Sequence, residues 1–402
     1  MGSLNEAPAS VRLHIGVFGK TNSGKSSFVN AFTGQQVSIT ADVAGTTTDP
    51  VSKPMEIRPL GACVIIDTAG FDDESVLGES RVEKTRLAAE KSDIGVIIFD
   101  GAGIDTELEW VQYFRDKNTP VLPVITKSDS RGTEEIQKLC GEINKRTGVL
   151  PIVVSAVTGE GMDSVSEALA RLVPESFDAR LITGSLVGED DAVMLVMPQD
   201  IQAPKGRLIL PQVQTIRELL DKKCIVIGVT ADKMEEGLKR LSAPPRLIIT
   251  DSQAFGYVYE RKPAESMLTS FSVLFAAYKG DLPYYIEGAK AMEGLTEHSK
   301  VLIAECCTHA PLSEDIGRVK IPRMLRKRFG QDLEIVHKSG TDFPKDLSVY
   351  DLVIQCGACM FNRKYVLSRV ERAKQQGVPM TNYGVVIAHL TGILDKIAVT
   401  SV

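Results

Sequence analysis

From about Leu13 to Val173, short apolar runs (HIGVFG, ACVIID, IGVIIFD, VLPVIT, LPIVVSA) alternate with stretches whose apolar residues recur at helical spacing. Runs so short and so evenly apolar predict buried strands, and strand–helix alternation predicts a parallel sheet covered by helices. Pro174 and the polar residues after it end this pattern. A second segment, about 175 to 262, offers AVMLVMP, RLILP, CIVIGV and RLIIT as strands, with helical patterns at 213–222 and 232–241 between them. A third segment begins near Pro263. It opens with ESMLTSFSVLFAAY, a helix apolar enough to be buried. KVLIAE, a basic helical stretch at 318–328, DLEIVH, DLVIQ, a helix at 363–375 and VPMTNYGVVIA follow. The expected fold class is α/β, with two doubly wound parallel sheets flanking a smaller α/β domain, and boundaries at 8–174, 175–262 and 263–402.

Length and composition narrow the picture. At 402 residues the chain exceeds one ordinary core, so two or three domains are expected. A net charge of −6 does not favour binding to nucleic acid or to an anionic membrane. No apolar run approaches the roughly 18–20 residues that span a bilayer, and the first residues lack a secretory pattern. A cytoplasmic protein is expected. Seven cysteines are too few for a disulfide scaffold of this size, and four of them fall in two tight groups, Cys306–Cys307 and Cys356/Cys359.

The chemistry of the first segment lies in its loops. Gly19, Lys20, Thr21, Asn22, Ser23, Gly24, Lys25 and Ser26 fit G-x-x-x-x-G-K-S/T, after a strand and before a helix that continues through Ser27. Such a loop wraps its N–H groups around phosphates. Lys25 then reaches the β and γ phosphates, and the Ser26 hydroxyl meets Mg2+. Asp67 and Gly70 close a D-x-x-G at a strand end, suited to hold Mg2+ through water and to offer an N–H to the γ-phosphate. Thr126, Lys127 and Asp129 resemble the guanine-reading N-K-x-D, with threonine replacing asparagine. The Asp129 carboxylate can accept from both guanine N–H groups, which adenine does not present. Ser155 and Ala156 occupy the place of the last guanine-nucleotide motif. Ala44 to Asp49 (AGTTTD) resembles the switch I loop of the GTPases related to Era and to tRNA-modifying enzymes. In that alignment Thr47 contacts Mg2+, and Asn22 either helps hold K+ or is a plain turn residue. Phe71 stands where Ras-like enzymes carry a water-orienting glutamine, so hydrolysis is expected to be slow.

The third segment carries Cys307 and His309 directly after KVLIAE, and Cys356 and Cys359 directly after DLVIQ. Both groups fall at the C-terminal ends of predicted parallel strands, where α/β sheets bind ligands. Three thiolates suit a 4Fe–4S cluster with one exchangeable iron, or a Cys3His zinc site; a pair of buried inert cysteines is the plainer alternative. Cys63, Cys140 and Cys224 lie in apolar or helical contexts and are read as core. Cys306 is ambiguous; on a strand it would face away from Cys307.

A GTPase segment followed by C-x-H and C-x-x-C resembles the HydF family, the maturation GTPases of FeFe-hydrogenases. MPQDIQAPKGRLILPQVQTIRELLD and CGACMFNR…PMTNYGV extend that resemblance over essentially the whole chain. It implies a GTPase domain at 8–174, a dimerisation domain at 175–262 and an iron–sulfur domain at 263–402. It also implies a scaffold that holds a 4Fe–4S cluster and a di-iron precursor as cargo. Radical-SAM maturation enzymes and apo-hydrogenase would be its partners, and a homodimer or higher assembly its state. Cys307, Cys356 and Cys359 would be the cluster ligands, with His309 or Glu305 as candidates for a fourth. Gln355 departs from the family pattern, which often has histidine before C-x-x-C. A different reading of the same motifs is a ribosome- or tRNA-directed GTPase with a structural zinc site. A third is a redox sensor built on the C-x-x-C.

Overall fold

The computed structural model describes residues 8–34, 51–71, 78–101, 103–178, 180–198, 208–306 and 315–400. The chain divides into two compact units, Met1–Ala179 and Arg180–Val402.

In the first unit, strands β1 (Leu13–Gly19), β2 (Val51–Ile57), β3 (Gly61–Asp67), β4 (Ile94–Phe99), β5 (Val121–Ile125) and β6 (Ile152–Val153) form one sheet in the order β2-β3-β1-β4-β5-β6. Every pairing is parallel except β2 with β3. Helices cover both faces. Phe28, Val29, Val165 and Leu169 pack with Ile15, Val17 and Ile98 on one side; Trp110, Phe114 and Ile143 pack with Phe18, Ile97 and Phe99 on the other. Successive residues of β1 and β4 thus enter different cores, which is why both strands read as unbroken apolar runs. The sequence pattern did not announce β2. Its residues alternate exposed with half-buried, and Pro54 interrupts it, which an edge strand tolerates.

The second unit holds two parallel four-stranded sheets. β7 (Ala192–Val196), β8 (Ile225–Val229), β9 (Leu247–Thr250) and β10 (Met267–Ser270) order as β10-β9-β7-β8. β11 (Lys300–Ala304), β12 (Glu334–Lys338), β13 (Leu352–Gln355) and β14 (Met380–Asn382) order as β12-β11-β13-β14. Two sequence expectations are corrected here, and a third apolar run is resolved. Of RLILP, the described residues form no strand, and Leu210 and Pro211 open the helix Leu210–Asp221, proline being welcome in a first turn. ESMLTSFSVLFAAY is not one helix: Met267–Ser270 is β10, and Ser270 then caps Phe271–Lys279 by accepting from the Val273 N–H at 3.3 Å. VPMTNYGVVIA yields only the short β14, because Asn382 caps a second buried helix, Tyr383–Leu390. The expected edge at 262/263 therefore falls ahead of a strand that belongs to the second sheet. The expected edge at 174 lies close to the division between the two units.

In the last sheet the chain leaves β11 for β12 on one side and returns to β13 on the other. The carboxyl ends of β11 and β13 therefore flank a topological switch point, where an open α/β sheet leaves a crevice.

Candidate nucleotide and thiolate sites

Gly19, the last residue of β1, is followed by a loop that turns through left-handed backbone at Asn22 (φ 60°) and Gly24 (φ 94°) into the helix Lys25–Thr33. Lys25 is buried, and its ammonium donates to the carbonyls of Gly19 (3.0 Å) and Lys20 (2.5 Å), which holds it in the mouth of the loop. The Ser26 hydroxyl donates to Asp67 Oδ2 at 3.2 Å, so the two oxygens suited to Mg2+ stand together. Gly70 lies hard against the loop: a Cβ there would come within 2.6 Å of the Thr21 nitrogen. Thr68 anchors the intervening turn by donating to the Val17 carbonyl at 2.7 Å. Phe71 is buried and stacks on Trp110 at 5.4 Å, so this position supplies packing to the core. Lys20 crosses to Glu107, 3.0 Å away, and also donates to the Gly103 carbonyl. Burial raises the Glu107 carboxyl above its ordinary range, against the pull of Lys20. Neither contact was legible in the motif.

The segment Thr126 to Asp129 is tied to the same loop. The Thr126 hydroxyl donates to the Ser23 carbonyl at 2.7 Å, and the Lys127 ammonium to the Asn22 carbonyl at 2.7 Å. Threonine in place of asparagine thus still bridges to the phosphate loop. Ser155 donates to Asp129 Oδ1 at 2.6 Å and accepts from the Val157 and Thr158 N–H groups, which fixes the aspartate beside Ala156. The described residues of all four motifs form one surface at the carboxyl edge of the sheet. Ala44 to Asp49, with Thr47, lie outside the described residues.

The second site forms where β11 and β13 end. Cys356 directly follows β13, and its N–H donates to the Ala304 carbonyl at 3.0 Å. The Cys306 N–H donates to Cys356 Sγ at 3.1 Å, so two cysteine runs far apart in sequence meet. β11 stops at Ala304, so strand alternation does not govern Cys306, which is buried and packs with Cys356, Ala358 and Phe361. The Cys306 thiol, pushed up by burial, donates to Cys356 and holds that sulfur below the ordinary thiol range. Ala358, in left-handed backbone (φ 50°), turns the loop toward Cys359. Glu305 is engaged elsewhere: Arg318 donates to it at 2.9 Å, Ser339 at 3.2 Å and Tyr383 at 3.4 Å. Cys307 and His309 lie outside the described residues. Among the described residues no three ligating side chains cluster closely enough to hold a metal ion.

Three groups at this site carried no motif. Lys279 is 2% exposed, and its ammonium donates to the carbonyls of Ala358 (3.1 Å), Cys359 (3.4 Å) and Phe361 (2.9 Å). Burial lowers it to about 8, while the sulfurs of Cys359, Cys306 and Cys356 pull the other way. Arg369 is 1% exposed, lies within 4.8 Å of the ring centres of Phe343, Phe361 and Tyr365, and donates to the Gly340 carbonyl. The buried Tyr285 hydroxyl finds no hydrogen-bond partner among the described residues, and burial raises its pKa. A lysine ending so apolar a helix (FSVLFAAYK) was the only hint in the sequence. Of the remaining cysteines, Cys63 and Cys224 are buried and Cys140 is half-buried. Burial pushes Cys63 up to about 11.

Among the described residues, no helix is long and apolar enough to cross a membrane. Comparison with known proteins agrees with the division of the chain. Residues 14–127 match the family model for a 50S ribosome-binding GTPase, 182–280 the hydrogen maturase F dimerization domain, and 283–399 the hydrogen maturase F tetramerization domain. GTPase Der of Wolinella succinogenes is 35% identical over 192 residues, covering 46% of this chain and 40% of that protein. The tRNA modification GTPase MnmE of Synechococcus is 33% identical over 165 residues, covering 40% and 34%. This chain thus spans two fifths or less of the length of either relative. Among solved structures, Era in complex with MgGDPNP and a 16S ribosomal RNA fragment is similar at 20% identity and TM-score 0.37, over 57% of this chain and 97% of that one. The cytosolic domain of the Thermotoga maritima FeoB iron transporter is similar at 20% and 0.32, over 41% and 65%. The first unit is a GTPase domain, and with two consecutive maturase models filling the remainder, the chain belongs to the hydrogen maturase F family.

Proposed function

We propose that this chain is a GTP-hydrolysing scaffold for maturation of the FeFe-hydrogenase active site. In this reading it holds a 4Fe–4S cluster on Cys307, Cys356 and Cys359. It takes up a di-iron precursor assembled with radical-SAM enzymes and passes it to apo-hydrogenase. GTP lies along Gly19 to Ser27, with Lys25 on its β and γ phosphates. Ser26, Asp67 and Thr47 serve Mg2+, the Gly70 N–H meets the γ-phosphate, and Thr126, Lys127, Asp129, Ser155 and Ala156 serve the base. Asn22 lends an oxygen to K+, and His309 stands near an open iron position. The protein works in the cytoplasm as a homodimer or larger assembly.

The observation that carries the reading is the bond from the Cys306 N–H to Cys356 Sγ. It draws Cys306, just beyond β11, to the loop containing Cys356 and Cys359, at a topological switch point. The donor set fits the group: thiolate sulfur, half-buried, is what iron–sulfur centres use. When bound, the cluster would supply a redox-active iron–sulfide core with a position for cargo. The protein's own part is to orient the thiols, shield them from water and supply charge. The test is activation of apo-hydrogenase by purified chain that was produced together with the radical-SAM enzymes. Wild type should restore hydrogen evolution and Cys356→Ser should not. Equal activation by both would sink the proposal.

A further inference from the structure

Lys279 closes the helix Phe271–Lys279, within the stretch matched by the dimerization model. The loop it enters, Cys356 to Phe361, lies in the stretch matched by the tetramerization model. An ammonium buried this deeply is costly unless charge compensates it. The carboxyl end of its own helix helps, as do three carbonyls of the loop. Yet among the described residues no carboxylate pairs with Lys279, and the loop that its ammonium enters is the one that carries Cys356 and Cys359. Arg369 repeats the pattern behind the same loop. It is buried against three rings, and among the described residues it has no carboxylate partner and its Nε and Nη1 find no hydrogen-bond partner. Two buried cations stand against the cysteine-bearing loop, and among the described residues neither pairs with a carboxylate, so the described site is short of negative charge until the thiols ionise onto a metal centre.

We infer that Lys279 is the positioning residue and resident counter-charge of the thiolate site, supplied to the cysteine loop by the dimerization domain. The inference rests on the cluster reading for its second half only. In the metal-free chain Lys279 pins the loop through three carbonyls. In the loaded chain it offsets the anionic charge of a thiolate-ligated cluster. One electron from dithionite takes a 4Fe–4S core from the 2+ to the 1+ level and adds a negative charge, so a fixed cation beside it favours the reduced form.

The experiment uses the full chain as wild type, Lys279→Arg, Lys279→Gln and Lys279→Met, each checked for unchanged size and melting. In metal-free protein, hydrogen exchange at the Phe361 amide should quicken by at least about tenfold in Lys279→Met, since several charge-assisted bonds are lost. Unchanged exchange overturns the positioning role. After anaerobic reconstitution with iron and sulfide, the midpoint potential should move to more negative values in Lys279→Gln and Lys279→Met and stay near wild type in Lys279→Arg. One shared potential overturns the counter-charge role. A wild type that takes up no iron overturns the cluster reading, while the exchange measurement still decides the loop. If the neutral variants do not fold, wild type grown with 15N-lysine decides: the reduced cluster's EPR echo should carry a 15N coupling, and its absence overturns the inference.

Discussion

Asp129, in the base-reading role proposed for it, would distinguish bases by being able only to accept. One of its oxygens takes a hydrogen bond from Ser155 at 2.6 Å, which fixes the carboxylate on the base-reading edge. Guanine presents two N–H groups to such an acceptor; xanthine presents a carbonyl in place of one of them. Asp129→Asn supplies a donor there. It should therefore weaken GTP by roughly 10–150-fold, as expected for loss of hydrogen bonds to a charged group, and improve XTP. Titration with both nucleotides checks this, and unchanged preference would show that the base is read elsewhere. Thr126 shows where residue-by-residue matching stops short. The motif counts threonine as a departure, yet its hydroxyl reaches the same phosphate loop an asparagine would. Thr126→Ala should leave the buried Ser23 carbonyl unpaired and cost about 1–3 kcal/mol, read from chemical unfolding of the nucleotide-free chain. Lys279, Arg369 and Tyr285 mark the opposite case. Nothing in a sequence window tells that a lysine at the end of an apolar helix points inward. That depends on a loop some eighty positions away, as the Lys279–Cys359 bond shows.

At the scale of elements, glycines decide how closely helices and strands approach. Gly288 sits in the helix Leu282–Ala291, and a Cβ there would stand 2.1 Å from the Met380 carbonyl of β14. Gly288→Ala must push the helix off the sheet. It should cost about 1–3 kcal/mol or somewhat more, lowering the melting temperature by roughly 2–4 °C per kcal/mol. A calorimetric scan with no shift would mean that the helix is free to slide. The same scale explains what the sequence did and did not disclose. Strands buried on both faces, such as β1, β4, β5 and β13, are legible because both cores demand apolar residues. β2 was missed because an edge strand needs only one apolar face and admits Pro54. β10 was read as helix because its four residues run without a break into an apolar helix, and the boundary rests on one side chain, the Ser270 cap. The phosphate loop and the C-x-x-C were legible because their chemistry needs fixed spacing. Cys306 was ambiguous because only the end of β11, two residues before it, decides whether strand alternation reaches it.

At the scale of the molecule, the described nucleotide residues all lie in the first unit and the described cysteines of the thiolate site in the second. Lys25→Ala removes the ammonium proposed to reach the phosphates and should abolish GTP hydrolysis while leaving iron uptake at the wild-type level. Cys356→Ser should do the reverse. Paired measurements of phosphate release and bound iron separate the two, and loss of both in either variant would refute separate chemistries. Lys279 adds a constraint inside the second unit, because it ties the dimerization stretch to a loop of the tetramerization stretch.

The central claim is that a GTPase domain and an iron–sulfur scaffold share this chain, and metal identity tests it most directly. Full-length protein is reconstituted anaerobically with iron and sulfide, its metals are counted, and its EPR spectrum is taken after dithionite reduction. About four irons per chain are expected, with a reduced 4Fe–4S signal that disappears in Cys356→Ser and Cys359→Ser. Stoichiometric zinc with no uptake of iron would contradict it and leave only the nucleotide chemistry standing.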